Sequence, residues 1–377
     1  MTVRDVRRAI GISSNSAGNR MKIINVVGAR PNFMKIAPIM RAMKAYRKIK
    51  PLLVHTGQHY DANMSDAFFK DLEVPKPDIH LEVGSGTHAS QTARVMERFE
   101  KVLFKEKPDL VLVVGDVNST LACALAASKL QIKVAHVEAG LRSFDRRMPE
   151  EINRVLTDQM SDLLFTTCEG ANRNLAKEGI AQDKVFLVGD VMIDTLLYYR
   201  QRIALAAGEV PEYAVVTLHR PSNVDDKDTF TRISRALNKI AQQIPIVFPV
   251  HPRTRGQIKR LGLGKYYNGK IKLLEPLGYL DFIKLYSKAR MVLTDSGGIQ
   301  EETTVLDIPC LTIRENTERP ITITQGTNIL VGTDEGKIVK EAQKILRGER
   351  KRRKRIKYWD GRAAERIVKV LAEEADV

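Results

Sequence analysis

From Met21 onward the chain alternates short runs rich in Val and Ile with amphipathic segments of ten to eighteen residues. A continuous apolar run of strand length reads as a strand buried on both faces, and apolar residues three and four apart read as one face of a helix. The clearest unit is Pro108 to Glu151. DLVLVVGD stops at Asp116, IKVAHVEAG stops at Glu138, and Asn118 to Leu130 between them places Leu121, Leu125 and Ala126 at helical spacing. This pattern predicts a βαβ unit. In an open parallel sheet the ligand crevice lies beyond the carboxyl ends of the strands, so Asp116 and Glu138 are both expected to face it.

Before this unit, KIINVVGAR predicts a strand and its exit turn, Pro31 to Lys48 a helix with Ile36, Ile39, Met40 and Met43 on one face, and PLLVHTG a second strand. Helix Ser90 to Glu106 turns Val95, Met96, Phe99, Val102 and Leu103 inward. A helix beginning at Pro149, strand DLLFTT, helix Glu169 to Glu178 and strand KVFLVG follow. After a helix from Val191 to Ala206 and the break AAGEVPE, a second alternation begins with YAVVTLH and runs through IPIVFPVH, KIKLLEP, RMVLTD and PCLTI with helices between. Strands alternating with helices in this way predict two doubly wound α/β domains, Rossmann-like and facing each other across a cleft. The expected division is a basic, disordered extension over 1–20, an N-terminal domain over 21–190, a C-terminal domain over 191–360, and a last helix over 361–377 that packs back on the first domain. The boundary is expected between Gly189 and Pro211.

Composition adds exclusions. No apolar run approaches the roughly 18 to 20 residues of a membrane span, and residues 1–20 lack the apolar centre of a secretory signal. Cys123, Cys168 and Cys310 are far apart, which argues against a zinc site and a disulfide framework and points to the reducing cytoplasm. The 61 Lys and Arg against 45 Asp and Glu suit an anionic partner. Part of that excess is the run RGERKRRKRIK from Arg347 to Lys357, read as a solvated helix face. With no aromatic interleaving, it gives no nucleic-acid signature.

Six stretches carry candidate chemistry. GARPNFMK sets Gly28 at a strand-to-helix turn with Arg30 and Lys35 near a helix N-terminus, a place that favours anions, although an ordinary turn reads the same. TDSGGIQEE ends a buried strand and starts a helix at once, so Ser296, Gly297 and Gly298 offer a hydroxyl and amides to a phosphate, or simply a cap. Glu302, a turn further in, suits ribose hydroxyls. VTLHRPSN and FPVHPR put His219 and His251 directly after strands, and Arg319 precedes Pro320 in ENTERPIT, where a guanidinium suits an anion. The loop HVEAGLRSFDRRMPEEINR supplies Glu138, Arg142, Asp145, Arg146, Glu150 and Glu151, and at least one of the last two is expected to turn inward.

Taken together, GARPNFMK, GQHYD, VVGDVNST, HVEAGLRS, PEEINR, VTLHR, PVHPR, LTDSGGIQEE and ENTERP resemble the non-hydrolysing UDP-N-acetylglucosamine 2-epimerases, in register from Met21 to the C-terminus. The resemblance implies the glycosyltransferase-B fold and interconversion of UDP-GlcNAc and UDP-ManNAc without a cofactor or metal. It implies elimination of UDP to a 2-acetamidoglucal and re-addition, with Asp116, Glu138 and Glu150 as the catalytic carboxylates and the face each serves left open. Arg30, His219, Ser296, Gly297, Gly298 and Arg319 would hold the diphosphate, with Lys35 and His251 close by, Glu302 at the ribose and Phe282 at the uracil. Gln58, His59 and Arg94 resemble the contact set of an activating second UDP-GlcNAc, and the family implies a homodimer and closure of the domains on the substrate. A hydrolysing relative, a glycosyltransferase of the same fold and a polyanion-binding protein are the other readings.

Overall fold

The computed structural model describes residues 20–58, 73, 75–201, 212–267 and 269–375. The expected basic extension, His59, most of the polar loop after it and the break before YAVVTLH lie outside the described residues. The chain divides into two units. One takes the chain as far as Thr195 together with the stretch from Lys357 onward, and the other is Leu196–Ile356.

The first unit is built from β1 (Met21–Val27), α1 (Arg30–Met43), β2 (Ile49–His55), β3 (Ile79–His80), α2 (His88–Glu106), β4 (Leu110–Val114), α3 (Asn118–Lys129), β5 (Lys133–Ala139), α4 (Pro149–Met160), β6 (Leu163–Thr166), α5 (Glu169–Lys177), β7 (Val185–Leu187) and the first half of α6 (Val191–Arg200), which runs on into the second. Its sheet runs in the order β3-β2-β1-β4-β5-β6-β7, with every pairing parallel. The order reverses between β1 and β4, so the switch point at which a doubly wound sheet opens a crevice lies beyond Val27 and Val114. The predicted strands are here because both faces are covered: Ile24, Val111 and Val113 are fully buried against α2 and α3 through Phe99, Leu103, Ala122 and Cys123. The first helix stops at Met43 rather than Lys48, because residues 44–48 turn the chain back into β2 through bonds such as Ile49 N to Tyr46 O.

The second unit repeats the design with β8 (Ala214–Thr217), α7 (Pro221–Val224), α8 (Lys227–Ala241), β9 (Ile246–Pro249), α9 (Pro252–Arg260), β10 (Ile271–Leu274), α10 (Tyr279–Tyr286), β11 (Met291–Thr294), α11 (Gly297–Val305), β12 (Cys310–Thr312), α12 (Pro320–Thr324), β13 (Asn328–Leu330) and α13 (Glu335–Leu346). Its parallel order is β10-β9-β8-β11-β12-β13, with the switch point between β8 and β11. Phe230, Ile233, Leu237, Phe248 and Met291 fill its core. The basic run after α13 is not the expected helix face. Gly348 at φ +90° ends the helix, and the exposed residues 350–355 continue without helical structure, where six adjacent like charges repel one another less than on a helix. Cys123, Cys168 and Cys310 are free, buried thiols, and no described helix is long and apolar enough to cross a membrane.

The last helix, α14 (Ala363–Glu374), packs on α1 in the first unit. Ile367, Val368 and Leu371 are fully buried, each contributing about 1.5–3 kcal/mol. The returning chain approaches so closely that a Cβ on Gly189 would meet Tyr358 O at 2.0 Å, and Trp359 Nε1 donates to Thr167 O at 3.0 Å. Asp194 caps α14 by accepting from Ala363 N (3.0 Å) and Ala364 N (2.7 Å). Burial pushes the Asp194 carboxyl up to about 7, with Asp190 and Asp360 adding to it, against those two bonds. A carboxyl raised in the folded state contributes stability that is complete below its unfolded value and is lost as pH rises through about 7. The unfolding midpoint of the wild type, minus that of Asp194→Asn, is therefore expected to fall by about 2–4 °C for each kcal/mol lost between pH 4.5 and 7.5. A gap that does not change across this range would assign Asp194 the same protonation state folded and unfolded.

Candidate functional site

At the switch point of the first unit, β4 ends in Gly115 at φ +68°, whose N–H donates to Val137 O at 3.0 Å. A Cβ here would lie 2.8 Å from Lys35 Nζ and 3.4 Å from Glu138 Oε2, so a larger residue would push Lys35 aside and be strained at this φ. Lys35, on α1, makes an ion pair with Glu138, and both side chains are buried. Lys35, expected near the diphosphate, is the counter-ion of Glu138. Glu138 itself stands at φ +76°, where the pairing of β5 with β6 slips between Val137 and Ala139. A non-glycine residue in that region costs about 1–3 kcal/mol, and such strain persists where the surroundings fix a side chain for a purpose. Asn32 ties the neighbouring turn in place by accepting from Gly28 N and Ala29 N (3.0 and 2.9 Å) and donating to Val114 O (3.1 Å). Arg30 is exposed at the first position of α1.

Asp116 follows Gly115. Its Oδ2 accepts from Arg154 Nε at 3.0 Å, and its backbone oxygen accepts from Asn153 Nδ2 at 2.9 Å. Both partners come from α4, whose Pro149 start was legible but whose inward face was not assigned. Of the two glutamates in its first turn, Glu151 is the one turned inward. It accepts from Ser143 N and Oγ (both 2.9 Å) and Phe144 N (2.8 Å), pairs with Arg154, and so folds the charged loop onto the helix. Glu150 is half-buried beside it. Gln58 is buried, its amide oxygen accepting from Ser119 N (3.0 Å) and Ser119 Oγ (2.7 Å), while Arg94 donates to Ser85 O at 2.9 Å.

In the second unit β8 leads to His219 and β11 to Asp295. Asp295 is fully buried and accepts from His219 N (3.0 Å) and Arg220 N (2.9 Å), with His219 Nδ1 at 3.1 Å. Burial alone would raise its carboxyl, but His219 and the backbone donors more than offset this and hold it below the usual range. An ionised Asp295 accepts from Nδ1–H, which leaves Nε2 as the outward atom of a ring that is 43% exposed. The ring of His251, an exposed residue, lies 6.3 Å from it.

Ser296 is the residue before α11, yet its side chain makes no capping bond, so the helix start and the hydroxyl are not consumed by each other. A Cβ on Gly297 would meet Arg319 at 2.6 Å. Arg319 is buried and lies between Glu301 (2.5 Å) and Glu318 (2.6 Å), and Glu318 also meets Arg314 (2.7 Å) and Arg220 (3.4 Å). Arg314 and Glu318 carried no signal in sequence, since a buried ion cluster between loops has no period. Glu302 is buried and accepts the hydroxyls of Tyr279 and Tyr286, both at 2.8 Å. Burial and the adjacent carboxylate push the Tyr286 hydroxyl well up and keep it a donor. Phe282 packs edge-on against Tyr286 at 5.1 Å, so the candidate ribose and base residues share one aromatic neighbour.

Two carboxylates at one sheet's switch point, and a carboxylate-held histidine beside an uncapped helix start at the other's, suit proton transfer and anion binding. The comparisons with known proteins agree. The family model for UDP-N-acetylglucosamine 2-epimerase matches residues 41–372. A UDP-N-acetylglucosamine 2-epimerase of Methanocaldococcus jannaschii is 45% identical over 365 residues, covering 93% of this chain and 99% of that one. A UDP-2,3-diacetamido-2,3-dideoxy-D-glucuronate 2-epimerase of Pseudomonas aeruginosa is 46% identical over 358 residues, covering 94% and 100%. The crystal structure of the M. jannaschii UDP-GlcNAc 2-epimerase, in complex with UDP-GlcNAc and UDP, superposes with a TM-score of 0.87 over 94% of this chain and 100% of that one. The paired Rossmann-like units are the glycosyltransferase-B fold, and a lipopolysaccharide outer core galactosyltransferase shares it at a TM-score of 0.55 and 13% identity, a likeness of fold alone. With the fold, the motifs and near full-length similarity in agreement, the chain belongs to the UDP-N-acetylglucosamine 2-epimerase family.

Proposed function

We propose that this protein interconverts UDP-GlcNAc and UDP-ManNAc at C2 by eliminating and re-adding UDP. The observation that carries the reading is His219, aimed by the buried Asp295 and set beside the uncapped start of α11 at Ser296, an arrangement suited to a departing phosphate. The C2 proton is not adjacent to a carbonyl, so direct abstraction has too high a barrier. In the elimination a carboxylate takes that proton, the C–H electron pair becomes the C1–C2 double bond, and the C1–O bond breaks to give UDP and a 2-acetamidoglucal. A proton then arrives at C2 on the opposite face and the UDP oxygen rejoins C1, so nothing is consumed.

The first unit contributes the acid and base groups, Asp116, Glu138 and Glu150. Lys35 pairs with Glu138 and orients its carboxylate. The second unit contributes the leaving-group contacts, His219, His251, Ser296, Gly297 and Gly298. Arg319 backs them through Gly297, Arg30 meets the diphosphate, Glu302 the ribose and Phe282 the uracil. Gln58, His59 and Arg94 form the regulatory contact set. We place the enzyme in the cytoplasm, as a homodimer supplying nucleotide sugar for polysaccharide synthesis.

Incubation with UDP-GlcNAc in D2O tests the reading. UDP-ManNAc carrying deuterium at C2 is expected; its absence would sink the proposal, and free ManNAc in place of the nucleotide sugar would indicate hydrolysis instead. The equal similarity of the P. aeruginosa relative favours one second reading, a diacetamido uronic acid as the sugar. The ratio of kcat/KM for the two nucleotide sugars decides between them.

A further inference from the structure

We propose that His136 and Asp158 form a buried imidazolium–carboxylate clamp that fixes the position of Asp116 relative to Glu138. His136 lies on β5 and Asp158 on α4, and both are fully buried. His136 Nε2 is 2.8 Å from Gly115 O, and Nδ1 is 2.6 Å from Asp158 Oδ1. The other oxygen of Asp158 accepts from Gly140 N at 3.0 Å and meets Arg142 at 2.7 Å.

The protonation state follows from what faces each atom. A backbone carbonyl only accepts, so Nε2 must carry a hydrogen. The second Asp158 oxygen is taken up by Gly140 N and Arg142, donors that favour the ionised carboxylate. The carboxylate therefore also only accepts, and Nδ1 must carry a hydrogen too. Charge balances across the group: His136 and Arg142 are positive, while Asp158 and Glu178 are negative, with Arg142 Nε and Nη2 reaching Glu178 at 2.7 and 2.6 Å. Such a set is stable when complete and costly when broken, because each remaining charge is then buried without its partner.

The clamp grips backbone at two places, Gly115 and Gly140. The first immediately precedes Asp116, and the second lies two residues beyond Glu138. One ion pair thus joins the turns that hold Asp116 and Glu138, two of the three candidate carboxylates, and neither clamp residue touches either of them. They are positioning residues, and this role rests on the epimerase reading. Their protonation does not.

The test has two arms. In full-length protein labelled with 15N-histidine at pH 8, His136 is expected to show both ring nitrogens protonated, the signal being assigned by its loss in His136→Gln. A neutral, single-tautomer His136 would overturn the clamp. In the second arm Asp158→Asn is expected to lower kcat for C2 exchange about 100-fold, the scale of a small misplacement of catalytic groups. KM and the Kd for UDP should stay within about twofold, since all the proposed UDP contacts but Arg30 lie in the other unit and Arg30 is not held by the clamp. An unchanged kcat, or a loss carried by KM, would overturn the positioning role. Should Asp158→Asn fail to fold, His136→Gln, which keeps a donor toward Gly115, carries the same comparison. Absence of C2 exchange in the wild type would defeat the epimerase reading alone, because the nitrogen signal would still report the clamp.

Discussion

Glu138→Gln is expected to lower C2 hydrogen exchange with UDP-GlcNAc about 10²–10⁴-fold, the range supplied by a positioned base. Glutamine keeps the shape of the side chain and removes its charge. It also leaves Lys35 as a buried cation whose partner is gone, and breaking such a pair typically costs about 3–5 kcal/mol. Two effects are thus superimposed, and a second variant separates them. Lys35→Met with Glu138→Gln removes both charges, so most of the stability should return while exchange stays low. Thermal unfolding and deuterium incorporation at C2, measured on the same three proteins, check this. Recovery of exchange in the double variant would show that the single substitution acted only through folding and would remove Glu138 from the chemistry.

His219→Asn is expected to reduce kcat about 10²–10³-fold, the cost of losing one donor aimed at developing negative charge. If the C2 proton leaves as the C1–O bond breaks, deuterium incorporation and formation of UDP-ManNAc should fall together. KM should change much less, since several amides and the Ser296 hydroxyl still address the diphosphate. Asp295→Asn should give a smaller loss in the same direction, because the amide still accepts from the Nδ1–H or from the backbone donors but without the carboxylate's charge to aim the ring. Quench-flow measurement of both products decides the matter. Exchange retained at the wild-type rate with slow product formation would separate the two bond changes and confine His219 to the second.

Much of this was legible because parallel strands advertise themselves. Leu110–Val114 is apolar throughout and Lys133–Ala139 nearly so, with Lys133 and His136 as its interruptions, since both faces are covered, and Asp116 and Glu138 stand at their carboxyl ends. The start of α4 was readable from Pro149 and two acids in its first turn. β3 has two residues and β13 three, too few to show a period, and neither was anticipated. Partnerships were out of reach. Lys35 and Glu138 are 103 positions apart, and Arg154 lies 38 from Asp116, so only the sheet order brings them together. His136 looked like one polar residue in a strand; its meaning came from Asp158 on the next helix and a carbonyl on the neighbouring strand.

The return of the chain to the first unit after Lys357 has a consequence during synthesis. All seven strands of the first sheet have been translated by Leu187, yet α14, which packs on α1 and is capped by Asp194, is made only after the whole second unit. The first unit therefore waits, with that side of α1 uncovered, while the whole of Leu196–Ile356 is made. Nascent chains stalled before residue 357 should expose the apolar face of α1 to chaperones, and release of the final helix should end that exposure.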